Sequence, residues 1–460
     1  MALMNPYLNP FFLLRIAASY LSDITRIWDF NDEQTRRYQD KSLRKIVRYA
    51  YNVPLYHKKY KENGIHPDDI KGVDDINKLP FITKDDLRDN YPNDIIPRDF
   101  DITKSFLVST SGSTGKPVFM YYDLFNTIKH LEGFLRALRA LNENWQQTKI
   151  VQIIDLAPST TEKAIFRDGI NSFLKRFVSM NNHYYFHVDS KPEDLIIELN
   201  KINPDIISSD PVILNKLANL KMNGYGKNIN PKYVTSSSAM LDSYTKKYVE
   251  KAFNCRVINY YATTETGLIS FECLKGKYHV NSDFVFLEVL DEDYKPVELG
   301  KPGHVVVTKL YGGGTPIIRY TGLDDLLVLK DEKCNCGINS PIISDIQGRS
   351  MELIILPNNK TIAPFEITTI PAKIMDKYQT YKIKQFQIIQ HEIDEIEVRV
   401  VIDEKLRNKG PSVEKLLKEL KTLFLEKLGK KINLSLNEVD EIPIDKKSKK
   451  IKVVISKVKQ

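Results

Sequence analysis

Residues suited to holding a polyphosphate lie together early in the chain. Ser109–Pro117 reads Ser-Thr-Ser-Gly-Ser-Thr-Gly-Lys-Pro, and two short apolar runs, Phe106–Val108 and Val118–Tyr122, flank it. The flanks predict a strand, a tight loop and a second strand. The backbone N–H groups, the hydroxyls and the Lys116 ammonium of such a loop suit phosphate oxygens. A Walker A loop is excluded, because proline and a β-prone run follow Lys116. The alternative is a flexible Gly/Ser connector.

Two later segments add groups that could complete a nucleotide site. In Tyr261–Gly267 (Tyr-Ala-Thr-Thr-Glu-Thr-Gly) an aromatic ring can cover a flat base, a hydroxyl can meet phosphate and Glu265 can hold Mg²⁺. In Arg319–Asp324 (Arg-Tyr-Thr-Gly-Leu-Asp) the last carboxylate follows a turn and can chelate a ribose diol. Taken alone, each segment could also be an ordinary strand end.

The periodicity between Ile150 and Tyr261 predicts the elements that position these groups. Buried strands alternate with amphipathic helices, which implies a mainly parallel sheet with helices on its faces. From Tyr278 to Leu329 short strands separated by turns predict an antiparallel β unit. We therefore expect an α/β fold: a large N-terminal domain, residues 1–346, with mainly parallel sheets, helices and a β subdomain, and a small mobile C-terminal α+β domain, residues 347–460.

The composition limits the function classes. The 460 residues carry a formal charge of +8, but the lysines are spread along the chain, without an arginine-rich arm or a zinc-finger pattern. Nucleic acid is therefore not an expected partner, whereas a basic surface suits anionic substrates such as nucleotides. No apolar run reaches bilayer length and no export signal is present, so we expect no transmembrane segment and a reducing, cytoplasmic location.

Read in order, the segments resemble the motifs of the adenylate-forming superfamily, which includes acyl-CoA synthetases, peptide-synthetase adenylation domains and luciferases. The chain is most similar to the phenylacetate–CoA ligase and CapK-like branch of that superfamily. The resemblance covers nearly the whole chain. The segments that carry it are Asn52–Tyr56, Lys78–Pro80, Thr110–Pro117, Tyr261–Glu265, Pro316–Tyr320 leading to Asp324, and Gly348-Arg349.

The resemblance implies which residues bind ATP and which act in catalysis. The implied ATP-binding residues are Ser111, Gly112, Ser113, Thr114, Gly115, Ser237, Ser238, Tyr261, Asp324 and Arg349. The implied catalytic residues are Lys116, Thr264, Glu265 and Lys450.

Each motif has its own implied task. The hydroxyl loop and Lys116 would hold the β- and γ-phosphates. Tyr261 would stack on adenine, Thr264 would touch the α-phosphate and Glu265 would bind Mg²⁺. Asp324 would bind the ribose hydroxyls.

The assignment of the catalytic lysine near the C-terminus depends on how this segment is aligned with the family. The segment Ser448–Lys452 is similar to the family's Ser-Gly-Lys segment, which aligns Lys450 with the lysine that reaches the carboxylate and the α-phosphate. A lysine is suited to steadying two anions that are forced together. The alternative is a solvated lysine tail.

The cysteines indicate a metal site. Cys273 and His279 are separated by five residues, and Cys334 and Cys336 by one. Three thiolates and an imidazole are a standard ligand set for tetrahedral zinc, and some members of the branch carry such a site. Because four protein ligands leave no open position, the ion would be structural. The alternative is a set of unrelated cysteines; Cys255 is expected to be a core thiol.

Departures from the family pattern concern the second half-reaction. Met351 stands at the expected hinge, and Leu356–Lys360 replaces a glycine-containing loop that serves domain rotation and the pantetheine tunnel in the family. Ala262 stands where the family usually has glycine, which is a mild departure. With these departures the motifs for the adenylation half-reaction are still present, whereas those for the half-reaction with CoA are in question.

The expected function is ATP-dependent activation of a carboxylic acid, with an aromatic acid favoured, to an acyl-adenylate, followed by transfer to CoA. The expected cofactors are ATP, Mg²⁺, structural Zn²⁺ and CoA, and a homodimer is possible. One alternative is an adenylyltransferase of the deazaflavin-coenzyme or CapK-like type with a non-CoA acceptor; another is a non-catalytic nucleotide-binding scaffold. The acid pocket is expected between the predicted helix Asn126–Leu141 and the Tyr261 strand, with Met180–His183 and Tyr184–His187 as candidate walls.

Overall fold

The structure is a computed structural model that describes residues 14, 24–110, 116–167, 181–349, 352–429, 431–444 and 451–458. The chain divides into two compact units. Unit 1 contains residues 1–189, 258–323 and 328–344, and unit 2 contains residues 190–257, 324–327 and 345–460. The predicted domain boundary between residues 346 and 347 stays a prediction.

The first part of the chain is helical and then forms two pairs of strands. Its helices are α1 (Asp32–Ala50), α2 (Pro54–Glu62), α3 (Lys84–Asp89) and α4 (Leu124–Ala140). Its strands are β1 (Phe106–Ser109), β2 (Phe119–Tyr122), β3 (Ile150–Ile154) and β4 (His183–His187). Shorter helical turns are Ile24–Arg26, Ile27–Asp29, Pro67–Asp69, Val73–Lys78, Ile102–Lys104 and a π-helical turn, Lys163–Arg167.

The middle of the chain alternates strand and helix before it becomes a series of strands. Its helices are α5 (Pro192–Ile202), α6 (Pro211–Met222) and α7 (Ser243–Phe253). Its strands are β5 (Ile206–Ser209), β6 (Tyr233–Ser236), β7 (Arg256–Thr263), β8 (Gly267–Glu272), β9 (Tyr278–Val280), β10 (Val285–Leu290), β11 (Pro302–Lys309), β12 (Asp325–Lys330) and β13 (Ile342–Arg349).

The last part of the chain is α+β. Its strands are β14 (Ile354–Ile355), β15 (Thr361–Ile362), β16 (Ile383–Glu392), β17 (Glu395–Ile402), β18 (Asn433–Glu438) and β19 (Val454–Ser456). Its helices are α8 (Pro364–Tyr378) and α9 (Val413–Leu428).

In unit 1, the strands pair both ways. β1 and β2 form an antiparallel hairpin, β3 and β4 are parallel, β7, β8 and β9 follow one another antiparallel, and β10 pairs antiparallel with β11. Helix α1 begins with a capping box between Asn31 and Gln34 and buries an apolar stripe. The stripe is Leu43, Ile46, Val47 and Ala50.

In unit 2, β5 and β6 are parallel, as strand–helix alternation predicts, and α6 and α7 pack on each other. The C-terminal strands form a sheet in the order β18-β17-β16-β19, in which β16 and β17 are antiparallel and the outer pairs are parallel. Helices α8 and α9 pack together. The predicted α/β fold class, with an α+β C-terminal segment, is confirmed.

Helix α4 has an unusual buried face. Asp123 caps its N-terminus by accepting from the Asn126 backbone N–H at 2.8 Å. Polar and charged side chains are then buried along it: Asn126, Thr127, Lys129, Glu132 and Arg136. Buried charged side chains need hydrogen-bond or ion-pair partners. We therefore expect polar interactions within unit 1 along this face of α4. Among the described residues no helix is long and apolar enough to cross a membrane.

Candidate active site and metal cluster

The turn from Thr263 to Gly267 joins β7 to β8 and carries the predicted catalytic carboxylate. The side-chain oxygens of Thr263 and Thr266 lie 2.9 Å apart, and the Thr266 N–H donates to the Thr263 hydroxyl. Gly267 has φ +75°, and a Cβ there would lie 2.8 Å from the Tyr311 hydroxyl oxygen. Only glycine fits both the left-handed backbone and this close approach. The turn is therefore tightly determined.

The base of the hydroxyl loop is closed by hydrogen bonds. Thr110 N–H donates to the Val118 carbonyl at 3.0 Å, and Val118 N–H donates to the Thr110 hydroxyl at 3.0 Å. Lys116 is exposed, and its carbonyl accepts from the Arg88 guanidinium. The loop residues Ser111, Gly112, Ser113, Thr114 and Gly115 lie outside the described residues. The flanking strands are as predicted, antiparallel to each other.

The strand that leaves the hydroxyl loop contacts the carboxylate turn. The hydroxyl of Tyr122, the last residue of β2, donates to the Thr264 carbonyl. Glu265 is buried, and one of its carboxylate oxygens accepts from the Tyr320 hydroxyl at 3.1 Å. Tyr261 is buried in β7 opposite Ser270. Unit 1 thus holds together the strand after the loop, the Thr264–Glu265 turn and the strand of Tyr261.

The other predicted nucleotide residues that the structure describes belong to unit 2. Ser237 and Ser238 follow directly after β6; Ser237 N–H donates to the Ser209 carbonyl at 3.3 Å, and Ser238 is exposed with φ +69°. Asp324 has φ +58° and is half-buried. Arg349 is the last residue of β13, and Lys450 lies outside the described residues. Their roles stay predictions.

Lys309 lies near the Thr263–Gly267 turn, and it was not predicted from the sequence as a site residue. Its side chain is 1% exposed, its ammonium donates to the Asn126 side-chain oxygen at 3.1 Å, and it lies 4.9 Å from the centre of the Tyr122 ring. Burial lowers the pKa of Lys309 to about 8, and the negative charges of Asp123 and Glu265 only partly oppose this. In sequence it is one lysine among many at the end of an apolar strand, so no signal distinguished it.

The buried amine predicts a pH-dependent stability that Lys309→Met should remove. The folded pKa lies below the unfolded value, so between these values the unfolded state binds more protons and the free energy of unfolding rises with pH. From about pH 7.5 to about pH 9.5 the wild type should gain about 2 kcal/mol over the variant. Urea unfolding followed by tryptophan fluorescence reports unit 1, since Trp28 and Trp145 both lie there. If the free energy of unfolding changed with pH in the same way in wild type and in Lys309→Met, titration of Lys309 would be ruled out as the cause.

The four predicted zinc ligands meet in unit 1. Cys273 follows β8, His279 lies in β9 across a tight hairpin, and Cys334 and Cys336 lie in the loop between β12 and β13. Their ligand atoms all lie within 4.8 Å of one another. The sulfurs of Cys273 and Cys334 are 3.7 Å apart, and a tetrahedral ion about 2.3 Å from each sulfur requires about 3.8 Å. The donor set and its spacing fit zinc.

The surroundings of the cluster favour a metal as well. His279 is fully buried, with Nε2 3.2 Å from the Cys336 sulfur and Nδ1 3.1 Å from the Ser340 hydroxyl. A metal-binding histidine needs such a partner on its other nitrogen to fix its orientation. Burial raises the pKa of Cys273, but hydrogen bonds from His279 and from backbone N–H groups outweigh it and lower the net pKa, whereas burial raises the pKa of Cys336 to about 12. The geometry of the four ligand atoms, and not these opposed shifts, therefore favours a metal.

The loop of the cluster also holds the segment around Trp28. Asn339 N–H donates to the Trp28 carbonyl at 3.1 Å, and the Trp28 ring packs on Phe271, 6.2 Å between centres. The hydrophobic cluster there includes Ala137, Cys273 and Ile338. A metal that fixes this loop would therefore fix the segment around Trp28 against α4.

Comparison with known protein families identifies the C-terminal segment. Residues 355–457 match the family described as the CapK C-terminal domain. These residues begin in β14 and end just after β19, so they contain the whole four-stranded sheet of unit 2 with α8 and α9.

Relatives and solved structures cover most of the chain. A phenylacetate-coenzyme A ligase of Thermus thermophilus is 25% identical over 386 residues, 81% of this chain and 82% of the relative. Protein CapK of Staphylococcus aureus is 25% identical over 440 residues, 93% of this chain and 90% of the relative. The crystal structure of 2-hydroxyisobutyryl-CoA ligase in the postadenylation state with R3-HIB-AMP has a TM-score of 0.77 at 18% identity, covering 94% of this chain and 91% of that one. This structural similarity shows a shared fold.

Proposed function

We propose that the chain is an adenylate-forming enzyme of the phenylacetate–CoA ligase and CapK-like branch, which activates a carboxylic acid with ATP and transfers the acyl group to CoA. The observation that carries this proposal is the contact between the strand leaving the hydroxyl loop and the Thr264–Glu265 turn. That contact joins the proposed phosphate-binding and carboxylate motifs in one compact unit, and adenylate formation requires such groups to be held in place together. An aromatic acid is the preferred substrate class, by relation to phenylacetate-coenzyme A ligases.

In the first half-reaction a carboxylate oxygen of the acid forms a bond to the α-phosphorus of ATP. The bond from that phosphorus to the bridging oxygen breaks, and pyrophosphate leaves. The hydroxyl loop and Lys116 would hold the departing phosphates, and Thr264 would hold the α-phosphate. Mg²⁺, when bound by Glu265, offsets phosphate charge. Tyr261 would stack on the adenine, beside Ser237 and Ser238, while Asp324 and Arg349 would hold the ribose side.

Lys450 would bring the two anions together. Its ammonium can bind the acid carboxylate and the α-phosphate at once, which lowers the repulsion between them. In the second half-reaction the CoA sulfur bonds to the acyl carbon, AMP leaves with the bonding electron pair, and the thiol proton passes to water. The family resemblance of Ser448–Lys452 supports this role for Lys450.

The acceptor is tested by following products. Acid, ATP, Mg²⁺ and CoA should yield AMP and an acyl-CoA of the expected mass, and omission of CoA should leave only bound acyl-adenylate. A stable AMP ester that forms without any need for CoA would overturn the proposal in favour of an adenylyltransferase. The relatives, several of which are phenylacetate-coenzyme A ligases, do not favour that alternative. The cytoplasmic location and the homodimer stay predictions.

We propose that Cys273, His279, Cys334 and Cys336 hold one structural zinc ion. Purified protein should contain one zinc per chain, and Cys336→Ser should lose most of it, because a neutral hydroxyl is a poor substitute for a thiolate. Loss of zinc should also change Trp28 fluorescence, since the loop of the cluster holds that residue. Metal content by mass spectrometry checks the prediction.

The matched control for the zinc prediction is Cys255→Ser. Cys255 is the first of the four cysteines of the chain and lies outside the cluster, in unit 2, so its variant should keep full zinc. Equal zinc content in both variants would refute the assignment.

A further inference from the structure

Three buried tyrosine hydroxyls hold three consecutive residues of the carboxylate turn. Tyr122 donates to the Thr264 carbonyl, Tyr320 donates to the Glu265 carboxylate at 3.1 Å, and Tyr311 donates to the Thr266 carbonyl at 2.9 Å. Two of these phenols therefore hold the backbone, and one holds the functional side chain itself. Burial raises the pKa of Tyr122 and of Tyr311 well above the usual value, so both remain protonated donors.

The backbone of Tyr320 is fixed on both sides. Tyr320 N–H donates to the Val307 carbonyl at 2.9 Å, and Val307 N–H returns a bond to the Tyr320 carbonyl at 3.1 Å. On the other flank Ile82 N–H donates to the Arg319 carbonyl and Thr321 N–H donates to the Ile82 carbonyl. Tyr320 thus joins β11 to the segment around Ile82, and it has little freedom to move.

The side chains around Tyr320 fix its ring as well. A Cβ at Gly322 would lie 2.3 Å from the phenol carbon of Tyr320, so glycine is required for the ring to occupy this place. Arg319 has the rare φ of +47°, and its guanidinium binds both carboxylate oxygens of Glu288 at 2.9 and 3.1 Å and the Leu79 carbonyl at 2.8 Å. A strained backbone conformation persists only where its surroundings determine it.

We propose that Tyr320 is a positioning residue for the magnesium ligand: its hydroxyl fixes the conformation of the Glu265 side chain, so that the carboxylate is oriented before the metal binds. The inference rests on the proposed function, because it takes Glu265 as the magnesium ligand. Hydrogen-bond partners of metal ligands orient those ligands and contribute to metal affinity. Arg319 and Gly322 act one step further away, by fixing Tyr320.

The test is the affinity of the protein–ATP complex for Mn²⁺, a spectroscopic substitute for Mg²⁺. Mn²⁺ is titrated by electron paramagnetic resonance with ATP and no acid, so no reaction is involved. Tyr320→Phe should weaken Mn²⁺ binding about tenfold to a hundredfold. The Mg²⁺ concentration for half-maximal pyrophosphate exchange should rise by a similar factor.

Tyr311→Phe is the matched control. It removes the same kind of buried hydroxyl from the same turn, but that hydroxyl binds a backbone carbonyl, so this variant should lower stability without changing Mn²⁺ affinity. Equal effects of both variants on Mn²⁺ affinity would reduce Tyr320 to a structural role and overturn the inference.

Glu265→Gln separates the inference from the function on which it rests. If Glu265→Gln leaves Mn²⁺ affinity unchanged, Glu265 is not the metal ligand and the assignment under the proposed function fails. If Glu265→Gln weakens Mn²⁺ binding but Tyr320→Phe does not, the assignment stands and the positioning role of Tyr320 is wrong.

Discussion

Glu265→Gln should lower the rate of acid-dependent pyrophosphate exchange about a hundredfold to a thousandfold, the size expected when one preorganised electrostatic contact to the reacting phosphates is removed. Glu265 is 5% exposed and lies in a turn whose backbone is held by Tyr122 and Tyr311. Glutamine has the same shape and keeps an oxygen that can accept from Tyr320. The variant should therefore fold normally, and its exchange rate should fall because the negative charge of Glu265 is gone.

Glu272→Gln is the control for this result. Glu272 is also a buried carboxylate, on β8, where it accepts from the Asn259 N–H at 2.9 Å. Because Glu272 contacts the backbone of β7, Glu272→Gln should lower the stability of the protein more than the rate of pyrophosphate exchange. Equal rates for Glu265→Gln and wild type, at saturating Mg²⁺ and ATP, would mean that the turn has no catalytic role.

Asp283→Leu should lower the free energy of unfolding of unit 1 by about 3 to 5 kcal/mol, because it leaves a buried guanidinium without its charge partner. The Arg136 side chain is fully buried and binds both oxygens of Asp283 at 2.8 Å. It also donates to the Asn281 side chain at 2.7 Å and to the Ile24 carbonyl at 2.6 Å. This network ties α4 to the loop before β10 and to the helical turn Ile24–Arg26.

Two matched variants test that explanation by urea unfolding with tryptophan fluorescence. Asp68→Leu removes an exposed partner of Arg48, in a pair whose side chains are 60% and 65% exposed, and should cost less than about 1 kcal/mol. The double variant Arg136→Met/Asp283→Leu removes both buried charges and should recover much of the lost stability. A double variant as unstable as Asp283→Leu would show that packing, not charge, explains the loss.

Local patterns were sufficient to predict most elements. The apolar flanks of the hydroxyl loop became β1 and β2, and the predicted strands β5 and β6 are parallel, with helix α6 between them. These elements have strong periodicity and clear caps, such as Asp210 at the start of α6, whose carboxylate accepts from two N–H groups. Such signals lie within a few residues of one another, so sequence alone contains them.

Elements without such signals were missed. Helix α8 contains Pro371 in its interior, and proline is usually a reason to end a helix. Burial of its apolar face, including Ile367 and Ile374, outweighs that local penalty. Strand β4 was missed as well, because its parallel pairing with β3 depends on a partner more than thirty residues away. The prediction that this strand forms part of the wall of the acid pocket stays a prediction.

The site could be predicted only as separate motifs. Nothing in the sequence indicates that Tyr122, Tyr311 and Tyr320 converge on one turn, because their contacts span up to 142 residues. The buried charges of Lys309 and Arg136 look like surface residues until the packing around α4 is known. The zinc ligands were predicted because cysteine and histidine are rare and their spacing resembles that of the family, although the two halves lie about sixty residues apart.

The most direct test of the central claim is acid-dependent exchange of labelled pyrophosphate into ATP, measured over a panel of aromatic and aliphatic carboxylic acids. Adenylate formation is reversible, so an acid that is activated must carry label into ATP, and label should appear only when that acid, Mg²⁺ and ATP are all present. We predict such exchange with at least one acid of the panel and its loss in Glu265→Gln. Tight ATP binding without exchange for any acid would contradict the proposal that this chain forms acyl-adenylates.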